Sequence, residues 1–276
     1  MVDPDAAIAF LGTTGQKAIL ASLGLGIPIF TTIQNNPEYS DTGNRLLHNA
    51  SILFSRGCLV QTETQLQLLP FWIRHKAKIL PNPISNELAS INKIYNQTVK
   101  TIVSAGRLVK QKNYPLLIGA FAKVHEKYPH LQLHIYGEGE LSLDLQALID
   151  QLGLRSSAVL KGRSNELWQE FSRADIFVLS SEFEGMPNVL LEAMAIGLPC
   201  ISTDCPTGPA ELIKNGWNGI LVPNRDEDKL TQAITYMVEN PSAGREMGRR
   251  ARLGVLEQHN LSANTEQLIS FIYSAI

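Results

Sequence analysis

Short apolar, β-branched segments alternate with longer amphipathic segments along most of the chain, from residue 6 to about residue 222. This alternation is typical of βα units, in which parallel strands form a sheet that helices cover on both faces. The candidate strands are residues 6–10, 28–33, 58–61, 78–80, 101–104, 132–136, 158–160, 176–179, 200–203 and 219–222. The pattern therefore predicts an α/β fold throughout.

The candidate strands fall into a group of four and a group of six, separated by a polar, asparagine-rich stretch over residues 81–97. The stretch begins with Pro81-Asn82-Pro83, which cannot continue a helix and biases the residue before each proline toward extended backbone. A chain of 276 residues is also long enough for two modest domains. We therefore expect a first domain over residues 1–84 and a second over residues 85–276. Because four short strands make a thin sheet, the first domain is expected to be incomplete.

Composition excludes several functional classes. An apolar fraction of 44% with 18% charged residues is typical of a globular protein with a packed core. The formal net charge of -2 provides no overall positive field for a nucleic acid, so no nucleic-acid partner is expected and any anion site must be local. The three cysteines match neither a disulfide framework nor a metal knuckle, which favours a reducing, cytoplasmic location. No apolar run in the sequence reaches the ~20 residues that a membrane-spanning helix needs.

The strongest functional signal is the sequence SSEFEGMPNVLLEAMA at residues 180–195, directly after a candidate strand. Gly185 permits a tight turn and Pro187 suits a first helical turn, so the pattern predicts a helix that starts within two residues of Gly185. The N-terminus of a helix that follows a parallel strand offers N–H groups and a partial positive charge to a phosphate. We therefore expect a phosphate to bind at this turn.

Two carboxylates flank the predicted helix start, Glu184 on the loop and Glu192 on the helix. Glu192 lies four residues after Asn188, on the same helix face, and could accept both hydroxyls of a ribose. Glu184 could accept a sugar hydroxyl. Alternatively, both carboxylates only stabilise the start of an ordinary helix. A pair of glycosidase carboxylates is disfavoured, because eight residues of helical rise would separate the two groups by ~12 Å.

A second signal, GRLVKQKN at residues 106–113, follows the first candidate strand of the second domain. Arg107 and Lys112 stand together there at the carboxyl end of a strand, where a bidentate guanidinium and a compact ammonium could clamp a diphosphate. A solvated basic loop is the alternative interpretation. The turn YGEG at residues 136–139 places Gly137 at the end of the next strand, but taken alone it is an ordinary strand-to-helix turn.

Two further segments have both a functional and a structural interpretation. The acidic run Asp226-Glu227-Asp228 resembles a metal-binding motif, yet it stands just before a helical pattern and is more typical of a helix start, so no metal site is predicted. The basic and aromatic run FWIRHKAK at residues 71–78 suits a peripheral contact with an anionic membrane. More commonly, such a run is the end of a helix that leads into a strand.

Taken together and in order, GRLVKQKN, YGEG and SEFEGMPNVLLEAMA resemble glycosyltransferase family 4, a group of retaining transferases with the GT-B fold. The resemblance covers residues 101–230 almost completely and the earlier residues more loosely. It implies two Rossmann-like parallel-sheet domains facing a cleft, with the last helical pattern, residues 261–276, crossing back to the first domain. It also implies a nucleoside-diphosphate sugar donor, most simply a UDP-sugar, a glycan or lipid-linked glycan acceptor, and neither a metal nor a further cofactor.

The resemblance implies roles for individual residues. Arg107 and Lys112 would hold the donor diphosphate and stabilise its charge as it leaves. Glu192 would bind the ribose and Glu184 the transferred sugar, so that the expected catalytic residues are Glu184, Arg107 and Lys112. The other residues expected to line the donor are Gly137, Gly162, Arg163, Gly185, Met186, Pro187, Asn188 and Val189, with Gly162 and Arg163 near the nucleobase.

The chain departs from the family at its start, because the additional strands and the glycine-rich loop of the family's first domain are not found before residue 6. We therefore expect an N-terminally truncated enzyme, cytoplasmic or peripheral on the inner face of a membrane. An alternative is a donor-binding fragment or subunit of a split transferase, inactive until a missing segment or partner chain supplies that loop. An NAD-dependent oxidoreductase is disfavoured, because no G-x-G-x-x-G is followed by an acidic residue ~20 positions later. A nucleotide-sugar epimerase remains open.

Overall fold

The computed structural model describes residues 4–10, 12–34 and 42–276, without the side chains of residues 12, 13 and 42–44. The chain divides into two compact units, Met1–Pro83 with His259–Ile276, and Ile84–Gln258. The boundary lies within the proline-rich stretch that the sequence indicated. Residues 259–276 belong to the first unit, whereas the expected range of 85–276 assigned them to the second. The family resemblance implied that the last helix returns to the first domain.

The described residues form ten strands and thirteen α-helices. The strands are β1 Ala7–Ala9, β2 Ile29–Ile33, β3 Gly57–Val60, β4 Ala77–Ile79, β5 Thr101–Ala105, β6 Gln132–Tyr136, β7 Ala158–Gly162, β8 Ile176–Leu179, β9 Cys200–Asp204 and β10 Ile220–Pro223. The helices are α1 Gly12–Ala21, α2 Thr42–Phe54, α3 Glu63–Leu68, α4 Phe71–Arg74, α5 Asn86–Ser90, α6 Tyr114–Lys127, α7 Ser142–Gln151, α8 Leu167–Arg173, α9 Asn188–Ile196, α10 Pro209–Leu212, α11 Glu227–Glu239, α12 Pro241–Gln258 and α13 Leu261–Ala275. All ten expected strands are present, with ends that differ by at most two residues.

The first unit contains a parallel sheet in the order β1-β2-β3-β4. Its apolar core consists of strand and helix residues, namely Ile33, Ile52, Cys58, Val60, Leu69 and Ile73. Helix α13 is held against this sheet by Phe271, whose ring meets the ring of Phe30 edge to face at 5.7 Å. Gly57 lies under the same ring, and a Cβ atom at Gly57 would lie 2.7 Å from it. The absence of a side chain at Gly57 therefore lets the last helix pack on the first unit.

The second unit contains a six-stranded parallel sheet in the order β10-β9-β8-β5-β6-β7. Successive side chains of a strand point to opposite faces, so both faces of a sheet covered by helices need apolar residues. Neighbours on β5 show this, because Ile102 belongs to one apolar cluster and Val103 to the other. The strand order changes direction between the adjacent strands β8 and β5, because the chain leaves β5 toward β6 on one side and leaves β8 toward β9 on the other. These two parallel sheets confirm the expected α/β class.

No helix in the described part of the chain is both long enough and apolar enough to span a lipid bilayer.

Candidate functional site

The candidate site lies where β5 and β8 pair, at the carboxyl edge of the second unit's sheet. In an open parallel sheet, the point at which strand order reverses leaves a crevice between two loops, and ligands bind there. The loop after β5 comprises residues 106–113, and the loop after β8 comprises residues 180–187. These are the two segments that carried the strongest sequence signals, and the topology brings them side by side.

The loop after β5 is fixed by backbone bonds to the loop after β6. The N–H of Gly106 donates to the carbonyl oxygen of Tyr136 at 3.0 Å, and the N–H of Leu108 donates to that of Glu138 at 2.9 Å. Gly137 has a φ of +136°, and a Cβ atom there would lie 1.9 Å from the carbonyl oxygen of Gly106. Gly137 is therefore required by the close approach of two backbones, which explains the glycine in the YGEG turn.

Two of the three basic residues in the loop after β5, Arg107 and Lys112, differ in their contacts. The loop contains a short 3-10 helix, Lys110–Lys112, followed by Asn113 in the left-handed region with a φ of 45°. Arg107 is exposed, and its side chain makes no hydrogen bond or ion pair within the described residues. Nζ of Lys112 lies 2.5 Å from Oε1 of Glu184. Of these two residues, Arg107 is thus open to a ligand, whereas Lys112 is paired with a carboxylate.

Glu184 is buried at the centre of the site, with 5% of its surface exposed. Its Oε1 atom accepts a hydrogen bond of 2.6 Å from the hydroxyl of Ser181 in addition to the contact with Lys112. The interpretation of Glu184 as a helix-stabilising residue is wrong, because the residue precedes α9 and the first turn of that helix contains no acidic residue. A buried carboxylate needs such charged and hydrogen-bonding partners to remain ionised.

The backbone around Glu184 is fixed by the segment after β9. The N–H of Glu184 donates to the carbonyl oxygen of Pro206 at 2.7 Å, and the N–H of Thr207 donates back to that of Glu184 at 2.9 Å. The N–H of Gly208 donates to the carbonyl oxygen of Gly185 at 2.8 Å, and a Cβ atom at Gly208 would lie 2.1 Å from that oxygen. Residues 206–208 therefore hold the backbone of Glu184 and Gly185 in place through three hydrogen bonds.

Helix α9 begins at Asn188, one residue later than the sequence indicated, because Pro187 is its cap residue rather than part of its first turn. In the described structure no side chain caps the N-terminus of this helix. Met186 and Pro187 are buried, Val189 is half-buried and Asn188 is exposed. An uncapped helix start carries backbone donors and a partial positive charge, which suits an anion.

Glu192 lies one turn further along α9 and is half-buried. Burial raises the pKa of its carboxyl group, and a hydrogen bond from the side chain of Trp168 on α8 lowers the same pKa. Asn188 and Glu192 share a helix face, as the sequence indicated. A partly desolvated carboxylate beside an uncapped helix start can accept hydroxyl groups.

The remaining candidates lie around the neighbouring strand ends. Gly162 ends β7 with a φ of +67°, and its carbonyl oxygen accepts a hydrogen bond of 2.8 Å from the N–H of Gly137. Arg163 follows it and is exposed. The ends of β5, β6 and β7 are thus connected through Gly106, Gly137 and Gly162, which places Arg163 two strands away from the loop that carries Arg107.

Sequence reasoning did not single out Ser181 or Gln111. The side-chain nitrogen of Gln111 donates to the carbonyl oxygen of Phe183 at 2.9 Å, and the backbone oxygen of Gln111 accepts from the N–H of Glu182 at 2.8 Å. Gln111 therefore joins the two loops directly. These contacts cross more than 70 residues of sequence, so no local pattern could indicate them.

The acidic run before α11 is engaged in structural contacts. The Asp226 side chain accepts from the N–H of Lys229 and caps the helix. Nζ of Lys123 lies 2.8 Å from a carboxylate oxygen of Glu227 and 2.7 Å from one of Asp228. The interpretation of this run as a helix start is confirmed. In the part of the chain that the structure describes, no group of three or more His, Cys, Asp or Glu residues is arranged to hold a metal ion.

The basic and aromatic run at residues 71–78 forms α4 and β4, which confirms its interpretation as a helix end leading into a strand. Nζ of Lys76 donates to the carbonyl oxygen of Ser55 at 2.8 Å, so this charge has a structural partner. Phe71 and Trp72 are nevertheless 81% and 45% exposed. Contact of this surface with a membrane stays a prediction.

The chain is similar in sequence to known proteins. The chain is 40% identical over 158 residues to an exopolysaccharide phosphotransferase of Streptomyces coelicolor, covering 57% of this chain and 17% of that protein. It is 35% identical over 167 residues to the N-acetylgalactosamine-N,N'-diacetylbacillosaminyl-diphospho-undecaprenol 4-alpha-N-acetylgalactosaminyltransferase of Campylobacter jejuni, covering 60% of this chain and 45% of that protein. The chain thus spans less than half the length of these relatives.

A solved structure shows the same fold. The S. aureus TarM variant crystallised with fondaparinux, alpha-GlcNAc-glycerol and UDP has a TM-score of 0.85 and 21% identity, covering 98% of this chain and 56% of that chain. The GT-B type of fold and the expected enzyme class, a glycosyltransferase, are confirmed, whereas membership of family 4 in particular stays a prediction. Residues 88–254, more than half of the chain, match the family described as glycosyl transferases group 1, and the chain therefore belongs to that family.

Proposed function

We propose that this protein is a retaining glycosyltransferase of family 4, which transfers a sugar from a UDP-sugar to a glycan or a lipid-linked glycan. The observation that carries the proposal is the ion pair of Lys112 with the buried Glu184, which joins the loop that also carries Arg107 to the loop that precedes the uncapped start of α9. Because the chain covers 17% and 45% of the two relatives' lengths, the activity of the whole protein is part of the proposal.

The diphosphate of the donor would bind between the two cations and the helix start. Arg107 is exposed and offers a bidentate fork, which suits two phosphate oxygens. Lys112 has three ammonium hydrogens, so it can contact Glu184 and a phosphate oxygen together. Backbone groups of Gly185, Met186, Pro187, Asn188 and Val189 would complete the cradle. The UDP that was crystallised with the TarM variant supports a uridine nucleotide as the donor.

The nucleoside would extend along α9 toward the ends of β6 and β7. Glu192 would accept the ribose hydroxyls, a role supported by its position on the same helix face as Asn188 and by its partial desolvation. Gly137, Gly162 and Arg163 would line the nucleobase side. The transferred sugar would lie against Glu184, whose carboxylate is buried where β5 and β8 pair.

In the proposed reaction, the bond between the sugar's anomeric carbon and the diphosphate oxygen breaks, and a bond to the acceptor oxygen forms on the same face. The acceptor's proton passes to the departing diphosphate. Arg107, Lys112 and the dipole of α9 stabilise the charge that grows on this leaving group, which is the kind of preorganised electrostatic effect that dominates many enzymatic reactions. No metal or further cofactor is part of the proposal.

The acceptor and the cellular location of the proposed reaction are indicated by a relative and by the protein surface. The name of the Campylobacter jejuni relative specifies a diphospho-undecaprenol acceptor, which supports a lipid-linked acceptor and action at the inner face of a membrane. The exposed Phe71 and Trp72 beside Arg74 offer one peripheral contact with such a surface.

The proposal can be tested by slow hydrolysis, in which water replaces the unknown acceptor. The chain is incubated with UDP-glucose or UDP-N-acetylglucosamine, and the released sugar is followed by NMR before its anomers equilibrate. We expect release of the α-anomer from at least one donor and its loss in Lys112→Met, whereas Lys110→Met, an exposed lysine of the same loop, keeps it. Release of the β-anomer would contradict retention, and no release from either donor would contradict the proposed transfer.

A further inference from the structure

The two oxygens of the Glu184 carboxylate have different surroundings. Oε1 lies 2.5 Å from Nζ of Lys112 and accepts a hydrogen bond of 2.6 Å from the Ser181 hydroxyl. Oε2 contacts, among the described residues, only the side-chain nitrogen of Gln111 at 3.5 Å, which is at the limit of a hydrogen bond. One oxygen is therefore anchored, while the other keeps capacity to accept a hydrogen bond.

The hydroxyl that anchors Oε1 is itself rigidly held. Ser181 is fully buried and stands two residues after the end of β8. Its carbonyl oxygen accepts a hydrogen bond of 2.6 Å from the hydroxyl of Thr203 on β9. The preceding residue, Ser180, donates to the carbonyl oxygen of Lys112 at 2.9 Å. The sheet therefore fixes the position of the Ser181 side chain relative to Glu184.

Such an anchor is needed because the side chain of a glutamate does not fix its own carboxylate plane. The last side-chain torsion of glutamate, χ3, has a broad distribution of values. Rotamer preference therefore does not determine the direction in which each carboxylate oxygen points. Lys112 orients the group only weakly, because an ammonium on a flexible stem acts as a point charge and a bound diphosphate would attract it too. The hydroxyl of Ser181 contacts Oε1 from a backbone position that is bonded to Thr203 of β9, so it can orient the carboxylate independently of Lys112.

We propose that Ser181 is a positioning residue for sugar recognition. By holding Oε1, it directs Oε2 toward a hydroxyl group of the donor's sugar. The inference rests on the proposed function, since it takes a nucleoside-diphosphate sugar to bind at this edge of the sheet. If the inference is correct, loss of the Ser181 hydroxyl weakens the binding of the sugar part of the donor. The binding of the nucleoside diphosphate part stays unchanged.

The test compares the affinities of UDP, UDP-glucose and UDP-N-acetylglucosamine by calorimetric titration. The wild-type chain should bind at least one UDP-sugar more tightly than UDP. In Ser181→Ala the dissociation constant for that UDP-sugar should rise roughly tenfold, the effect of one charge-assisted hydrogen bond, while the constant for UDP changes less than about twofold.

Ser202→Ala is the matched control. Ser202 is a fully buried serine on β9 whose hydroxyl donates to the carbonyl oxygen of Thr203 and has no contact with Glu184. Truncating it removes a buried hydroxyl of the same kind, so both affinities should remain within about twofold of the wild type. A thermal unfolding curve for each variant shows that the chain is folded.

A double-mutant cycle tests whether Ser181 acts through Glu184. In a Glu184→Ala background there is no carboxylate to orient, so adding Ser181→Ala should change the affinity for the UDP-sugar less than about twofold. Independent effects of the two substitutions would instead show that Ser181 acts on the donor by another route and would overturn the inference.

The outcomes separate the inference from the proposed function. No binding of UDP to the folded wild-type chain would overturn the proposed donor site. Binding of UDP with no preference for either UDP-sugar would overturn only the role of Ser181, as would equal losses for UDP and the UDP-sugar in Ser181→Ala. The same loss in Ser202→Ala would also overturn it.

Discussion

Nζ of Lys112 lies 2.5 Å from Oε1 of Glu184, although the two residues are 72 positions apart in the sequence. Both side chains are largely buried, with 13% and 7% of their surfaces exposed. The ion pair joins the loop after β5 to the loop after β8 at the point where strand order reverses. It therefore contributes both to the stability of the second unit and to the charge distribution of the candidate site.

Removing the lysine should leave a buried carboxylate without its counter-charge. We expect Lys112→Met to lower the free energy of unfolding by about 3 kcal/mol, because breaking a buried pair leaves one charge uncompensated. The double variant Lys112→Met/Glu184→Gln should be more stable than Lys112→Met alone, as a neutral amide replaces the stranded charge. Urea denaturation followed by circular dichroism measures both changes. Lys123→Met, which removes two exposed ion pairs, is the control and should show no comparable loss. Equal stabilities of Lys112→Met and the double variant would contradict the expected role of the Lys112–Glu184 pair.

Gly137 should tolerate no side chain. A Cβ atom there would lie 1.9 Å from the carbonyl oxygen of Gly106, so Gly137→Ala must displace one of the two loops and should cost roughly 4 kcal/mol of unfolding free energy. Gly153 has a positive φ of +70° as well, but with open space around it. Gly153→Ala should therefore cost only about 1 kcal/mol, the strain of the left-handed backbone alone. Similar midpoints of thermal unfolding for the two variants would argue against the close approach of the loops.

The strands and the helix starts were predictable because they follow from local patterns. Apolar periodicity indicated each strand, and Asp226 was identified as part of a helix start from the acidic run before α11. The exact start of α9 was not predictable, because Pro187 can be either the cap residue or part of the first helical turn. Tertiary contacts of the preceding loop decide between these two positions. Motif order indicated that Lys112 and Glu184 belong to one site.

The partners of these residues were not predictable. Gln111 contacts Glu184 because β5 and β8 are neighbours in the sheet, and one sequence does not specify which strands pair. Ser181 lies three residues before Glu184 in the same loop, and a serine at that spacing gives no sign by itself of a contact with the carboxylate. The burial of Arg252 was not predictable either. Arg252 lies in a helix with many charged residues, and its sequence position does not indicate that its side chain is partly buried. Such contacts depend on tertiary structure rather than on spacing along the chain.

Arg252 should stabilise the second unit without affecting donor binding. Its guanidinium donates to the carbonyl oxygens of Ala89 at 2.7 Å, Ile91 at 2.9 Å and Ala195 at 2.5 Å, which belong to the C-terminal ends of α5 and α9. Arg252→Ala should lower the free energy of unfolding by about 2 kcal/mol, because three partly buried carbonyl groups lose a charged donor. Arg249→Ala, on the exposed face of the same helix, is the control and should be close to the wild type in urea denaturation. A larger loss in Arg249→Ala than in Arg252→Ala would refute this assignment.

Glu192 should make stability depend on pH. Burial raises the pKa of its carboxyl above the ordinary value of 4.5, so the folded state binds this proton more tightly than the unfolded state does. The resulting stabilisation is fully present below about pH 4.5 and is lost as the pH rises through the raised pKa. Glu192→Gln removes the titrating carboxyl group. A comparison of the wild type with this variant therefore isolates the contribution of Glu192, because the other groups titrate alike in both proteins.

The measurement is the difference in unfolding free energy between the wild type and Glu192→Gln at pH 4 and at pH 7. We expect the wild type to lose stability relative to the variant over this interval, with the change largest just above pH 4.5. A constant difference across the interval would show that the carboxyl is not desolvated in the folded protein.

The proposed function depends above all on the binding of a donor's diphosphate by Arg107 and the carboxyl edge of the second unit. Calorimetric titration of the folded chain with UDP, in the presence of EDTA, measures this binding without an acceptor. We expect the wild type and Lys110→Ala to bind UDP alike, and Arg107→Ala to bind it at least roughly tenfold more weakly, the effect of losing a bidentate contact with phosphate. Absence of binding by the folded wild type, or equal affinity in Arg107→Ala, would contradict the proposed donor site.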